Sequence, residues 1–118
     1  MFDDVISDPP SPPEDLHVLN YDSDYVTVAW KPPKSNGGSD ITQYVIEKKD
    51  MSRASGIWTW AGSVDLEKSS FKVNKLVVGS EYLVRVFAEN RVGMSEACEL
   101  KTPVTARLPY GTSPLLVT

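Results

Sequence analysis

His17 and Cys98 are the two side chains best suited to acid–base or nucleophilic chemistry near neutral pH, and each residue type occurs once in the 118 residues. A nucleophilic triad needs a base held between a hydroxyl or thiol and an orienting carboxylate. His17 lies in the apolar-polar alternation Leu16-His17-Val18 with no such arrangement beside it, so it reads as a surface histidine on a strand. Cys98 lacks the second cysteine of a Cys-x-x-Cys motif and falls in an extended segment, where a lone cysteine acts as a small buried hydrophobe. One histidine and one cysteine are too few for a zinc site built on those ligands. The carboxylate pairs Asp3/Asp4, Glu14/Asp15 and Asp22/Asp24 fall in linkers and loops without calcium-loop spacing. The glycines of Asn36-Gly37-Gly38-Ser39 match neither a phosphate-binding nor a dinucleotide-binding loop, and no helix follows them, so they read as a turn. The expectation is a chain with no catalytic, cofactor-binding or metal-binding residues and no cofactor, hence not an enzyme.

The elements around those residues are strands. Glu81 to Asn90 (EYLVRVFAEN) alternates with period two, placing Tyr82, Val84, Val86 and Ala88 on one side and Leu83, Arg85 and Phe87 on the other. Its lead-in, Leu76-Val77-Val78-Gly79-Ser80, sets a large apolar residue and a glycine turn just before Tyr82. A tyrosine so placed can bury its ring and return its hydroxyl to a nearby main-chain group, the tyrosine corner of β-sandwiches. Tyr25 to Trp30 alternates as cleanly, with Val26, Val28 and Trp30 on one face, and Lys31-Pro32-Pro33 ends it. Further strands are expected around Leu16 and Val18, at Tyr44 to Lys49, at Ile57 to Ala61, at Ser70 to Leu76 and at Glu96 to Lys101. That makes about seven, with turn signals at sandwich spacing, and no segment of helical period competes.

The expected core comprises Trp30, Tyr44, Trp58, Leu76, Tyr82, Val84 and Val86. Trp58 and Trp60 share a strand face, so at least one should pack inwards; an exposed one is the first place to look for a partner surface. Lys48, Lys49, Arg85 and Arg91 could form a charged face, but outward charge on a strand is ordinarily solvated, and binding residues are left unassigned.

Size and composition fit one domain: 41% hydrophobic content fills a single core, and no apolar run is long enough to span a bilayer. The acidic N-terminal MFDDVISD has no signal-peptide apolar stretch, so a soluble chain without a membrane association is expected. A net charge of −4 with mixed signs offers no basic stripe for a phosphate backbone, which argues against nucleic acid. A single cysteine precludes an internal disulfide, and no glycosylation sequon occurs; both lean towards the cytosol. Asp8 to Pro13 carries four prolines and reads as a stiff linker; its two Pro-x-x-Pro spacings (Pro9/Pro12, Pro10/Pro13) admit docking on a proline-recognition domain, but spacer use is the commoner role. The expected boundaries are 1–8 as an N-terminal extension or linker, 9–103 as the domain and 104–118 as a C-terminal linker.

Taken in order, Pro10-x-Pro12-Pro13, Leu16-x-Val18, Val26-x-Val28-x-Trp30-Lys31-Pro32-Pro33, Tyr44-x-Ile46-Glu47, Leu76 and Tyr82-x-Val84-x-Val86-x-Ala88-x-Asn90-x-x-Gly93-x-Ser95 resemble the fibronectin type III module across about residues 9 to 103. An immunoglobulin domain would place a cysteine where Val84 stands and a tryptophan where Tyr44 stands. The resemblance therefore implies an all-β, seven-stranded fibronectin type III sandwich with an immunoglobulin-like fold. Asn36 to Ile41, Tyr44 to Asp50 and Arg85 to Asn90 are similar to the modules of giant muscle proteins such as titin, twitchin and projectin, with the myosin-binding proteins more distant. Two departures stand out: Ala97-Cys98 follows Glu96 where the family often has proline, and the loop Asn90 to Ser95 has no Arg-Gly-Asp.

The resemblance implies a non-catalytic, load-bearing spacer of a cytoplasmic sarcomeric protein, with a protein docking surface. Its partners would be proteins: adjacent immunoglobulin or fibronectin type III domains of the same chain, and thick-filament myosin. The isolated domain is expected to be monomeric. The alternatives are a type III repeat of a cell-surface receptor or adhesion protein that binds through its loops, and an accessory domain beside a catalytic unit.

Overall fold

The structure, a computed structural model, describes residues 7–54 and 56–109. These form eight β-segments and no helix: β1 (Glu14–Tyr21), β2 (Val26–Lys31), β3 (Gln43–Asp50), β4 (Thr59–Asp65), β5 (Ser70–Val73), β6 (Glu81–Glu89), β7 (Cys98–Glu99) and β8 (Val104–Thr105). One antiparallel sheet has the order β1-β2-β5. The other runs β4-β3-β6-β7, and β8 also pairs with β6. Together they make the expected β-sandwich.

The alternation in β6 explains why the sheets face each other. Tyr82, Val84, Val86 and Ala88 are buried on its inner side, where they meet Val26, Val28 and Trp30 of β2, Tyr44 and Ile46 of β3, and Leu76. Trp30 and Tyr44 pack edge to face with ring centroids 5.3 Å apart. At the β4–β5 side, Gly62 is buried against Phe71, and a Cβ there would overlap the phenyl ring. That glycine is the opening through which the second sheet reaches the first.

The corner at Tyr82 forms as its spacing suggests. Its hydroxyl oxygen accepts the Val77 N–H at 2.8 Å. The turn it braces is closed by Ser80 N–H donating to the Val77 carbonyl at 3.1 Å, with Gly79 at φ +89°, the positive value required at the third position of a type II turn.

Four expectations are corrected. Trp58 lies outside the core: β4 begins one residue later, and the indole is half-buried on the outer side of the larger sheet. The last strand is not one run over Glu96 to Lys101 but two anchors. Cys98 pairs with Val86 and Val104 with Tyr82, so six steps along this strand face four along β6. The excess bulges out around Lys101 to Pro103, where proline has no N–H to donate.

The C-terminal boundary at 103 is too early, because Val104–Thr105 pairs with β6 and Ala106 is fully buried. The N-terminal prolines are not a free linker: Pro10 and Pro13 are buried, and the segment before them is already bonded to the domain at Ser7 and Asp8. Of the expected linkers, residues 1–6 and 110–118 lie outside the described residues.

Replacing Tyr82 with Phe removes the hydroxyl and leaves the Val77 N–H without its acceptor. Tyr82→Phe should lower unfolding stability by about 1–3 kcal/mol, measured by urea denaturation with an unchanged m-value; an unaltered midpoint would take the corner out of the stability account.

Candidate docking face

The inner side of the larger sheet is consumed by the core, so its outer side is where a flat recognition surface can exist. The register of β3 with β6 sets Glu47 opposite Arg85, and that of β3 with β4 sets Glu47 opposite Trp60. Arg85 donates from Nε and Nη2 to the same Glu47 oxygen, Oε1, at 2.8 and 2.6 Å. Its guanidinium lies 4.1 Å from the centroid of Trp58 and 5.1 Å from that of Phe87. Lys49 Nζ stands 5.8 Å from the Trp58 ring. The result is a cation–aromatic stack in which the Arg85 charge is matched by the Glu47 carboxylate, both side chains being about three-quarters buried.

Trp60 is 66% exposed on the edge strand β4, next to this stack. A large aromatic surface is thus left free beside a platform that sets two cations, Arg85 and Lys49, against the one carboxylate of Glu47. Of the four cations read as a charged face, Arg85 and Lys49 belong to this stack. Arg91 sits elsewhere, at the end of the sandwich near the N-terminus, with its Nε donating to Ser39 Oγ at 3.1 Å. Lys48 is half-buried on β3.

The reactive residues come together only loosely. His17 and Cys98 line one open groove of about 500 Å³ between β1 and β7, with Asp15 also on its wall. His17 Nδ1 lies 2.7 Å from the backbone carbonyl of Asp15, while the Asp15 carboxylate is paired with Lys31 at 3.2 Å. Histidine and carboxylate thus face different partners, which is not a triad geometry. Among the described residues no group of three or more His, Cys, Asp or Glu side chains could hold a metal ion.

Burial pushes the Tyr44 phenol above the ordinary 10.0.

The N-terminal end of the sandwich is held by a contact that residue spacing did not reveal. Asn90 is buried, and its Nδ2 donates to the carbonyls of Asp8 (2.7 Å) and Asn36 (2.8 Å). Its Oδ1 accepts the N–H groups of Val92 (2.9 Å) and Gly93 (3.2 Å). Gly37, read as part of a simple turn, accepts the Asp8 N–H at 2.8 Å, and a Cβ on it would overlap the Asp8 and Pro9 carbonyls. The glycine is needed because the N-terminal segment lies directly on it.

Against known proteins, the profile of the fibronectin type III domain family matches residues 11–104. The titin homologue of Caenorhabditis elegans is 35% identical over 109 residues, which is 92% of this chain and 1% of that protein. Slow-type myosin-binding protein C of Homo sapiens is 35% identical over 96 residues, 80% of this chain and 8% of that protein. A crystal structure of consecutive titin domains superposes with a TM-score of 0.78 at 32% identity, over 86% of this chain and 33% of that one. The chain thus spans a small fraction of the relatives it matches.

Two measurements test the platform and the buried phenol. Arg85→Met keeps the apolar stem but removes the charge from the aromatic stack, and should lower unfolding stability by about 1–2 kcal/mol with a change in tryptophan fluorescence. The raised Tyr44 pKa means that its contribution is complete below the unfolded-state value near 10 and is lost as pH rises through the folded-state value. Tyr44→Phe should therefore lose less stability than the parent between about pH 8 and about pH 11, followed by denaturation midpoints.

Proposed function

Because the chain belongs to the fibronectin type III family, and its relatives include titin and the myosin-binding proteins, we propose that it is a non-catalytic, load-bearing module of a sarcomeric protein, offering the Trp60 face as a docking surface. The observation that carries this reading is where the chain comes in and where it leaves. Among the described residues it is first tied down at Ser7 and Asp8, beside the loops at one pole, and last at Arg107, whose N–H donates to the Asp22 carbonyl at 3.0 Å at the opposite pole. A module held at opposite ends of its long axis is a link that passes tension through its body.

The strand geometry suits that role. Tension on the N-terminal end draws β1 along β2, and tension on the C-terminal end draws β8 and β7 along β6. In antiparallel ladders the hydrogen bonds lie across the strands, so both pulls load their rungs in shear, side by side, rather than one at a time. The partners proposed are sarcomeric proteins, thick-filament myosin first among them, together with neighbouring immunoglobulin or fibronectin type III domains of the same polypeptide. The place proposed is the myofibril, in the cytoplasm. The domain boundaries we propose are about 7 to 107, wider at both ends than the 9 to 103 that sequence landmarks give.

An antibody raised against this domain, imaged in striated muscle at sarcomere resolution, tests the reading. Regular stripes within each sarcomere are the expected result; labelling of the cell surface or the extracellular matrix would overturn it.

A further inference from the structure

The two overlapping Pro-x-x-Pro spacings ahead of β1 are treated oppositely by the fold. Pro10 and Pro13 are buried, whereas Pro9 and Pro12 are exposed. Asp8 and Ser11, again three residues apart, also act alike: their N–H groups donate to the carbonyls of Gly37 (2.8 Å) and Ser35 (2.9 Å). A period of three is that of polyproline II, which has three residues per turn and so presents three edges. Two edges fasten the segment to the domain, one by its rings and one by its amides. The third, carrying the Pro9 and Pro12 rings, faces water.

A segment displayed in this way is already ordered for recognition. A free proline-rich peptide gives up its other conformations on binding, while this one is held in place beforehand. Ser11 Oγ donates to the Ser35 carbonyl at 3.1 Å and accepts the Ser35 N–H at 2.9 Å, and the Asp8 carbonyl accepts from Asn90 Nδ2 at 2.7 Å. Apolar surface continues beside the rings: Pro9 Cγ lies 3.9 Å from where a Cβ on Gly93 would stand, and Gly93 sits between the exposed Val92 and Met94. Charge is uneven along the segment. Glu14 and Asp15, after the prolines, are paired with Lys34 at 3.8 Å and Lys31 at 3.2 Å. Asp8, before them, is exposed, and among the described residues no lysine or arginine pairs with it.

We propose that the edge carrying Pro9 and Pro12 is a binding site for a proline-recognition domain, one whose groove is lined by aromatic side chains and carries a basic residue where it meets Asp8. Such grooves dock an extended polyproline II strand, packing aromatic rings against prolines three apart. The spacing, the exposure of the two rings and the fixed conformation are what that groove needs. The unpaired carboxylate beside Pro9 sets its direction along the strand. The site is independent of the Trp60 face and of the sarcomeric reading, since it uses neither.

The test titrates the isotope-labelled chain with purified SH3 and WW domains whose groove rims carry lysine or arginine, followed by amide NMR, and repeats each titration with a free peptide of residues 7 to 15. At least one domain should bind, with shifts at Asp8, Ser11 and Gly93, and should hold the folded chain about tenfold or more tighter than the peptide, which lacks the seat. Pro9→Ala with Pro12→Ala should weaken that binding about tenfold or more and keep the melting temperature, because both rings are exposed. Asp8→Asn should weaken it by a smaller factor that shrinks as salt rises. Binding by none of the domains would overturn the proposal. So would a domain that binds the peptide as tightly as the folded chain or more so, because the seat would then contribute nothing or hide the prolines. Binding that survives the loss of both exposed rings would overturn it as well.

Discussion

The ladder between β3 and β6 is the constraint from which the rest follows. It runs without a register break from Gln43 opposite Glu89 to Asp50 opposite Tyr82. Because side chains alternate across a strand, one unbroken register fixes two surfaces together. On the inner side it sets Tyr44, Ile46, Tyr82, Val84, Val86 and Ala88 against β2. On the outer side it sets Arg85 over Glu47, and so creates the platform beside Trp60. A slip by one residue would bury Arg85 and expose Val84 and Val86, and the core and the platform would be lost at once.

At each end of that ladder one polar side chain closes the structure. Tyr82 sits at the C-terminal pole, where its hydroxyl holds the turn that in turn holds Ala106. Asn90 follows the other end of β6, and its amide uses two donors and one doubly accepting oxygen to join the N-terminal segment, the Asn36 loop and its own hairpin. A buried polar group is costly unless satisfied, and each of these is satisfied by backbone groups that would otherwise lack partners. The two closures carry the β6 register outwards to the points where the chain comes in and leaves.

Local pattern made much of this readable in the sequence. Period-two alternation located β2, β3 and β6, and the Leu76-to-Tyr82 spacing located the corner, because both are set by residues near each other in the chain. The features that were not legible depend on distant pairing. Trp58 has the composition of a core residue, and only the position of β4 beside β3 turns it outwards beneath Arg85. Asn90 meets groups 54 and 82 residues away, so no spacing within its own hairpin announces the contact. Pro10 and Pro13 resemble a spacer by composition, and Ser11 between them is bonded to Ser35, 24 residues on. The divided last strand was signalled only by Pro103, which says where a donor is missing but not how the strand resumes.

The ends of the module are unequal as mechanical attachments. On the N-terminal side, tension meets more attachments: the bonds of Asp8, the paired bonds of Ser11 with Ser35, and then β1 along β2, a ladder whose register shifts between Glu14 and His17 and again between Val18 and Asn20. The C-terminal side meets two pairs at β8, a bulge, and two pairs at β7. A bulge breaks load sharing, because rungs on either side of it cannot strain in step; β8 and the buried methyl of Ala106 bear the pull before β7 is reached. What compensates is the turn at Val77 to Ser80, which bonds to Ala106 from outside the ladder.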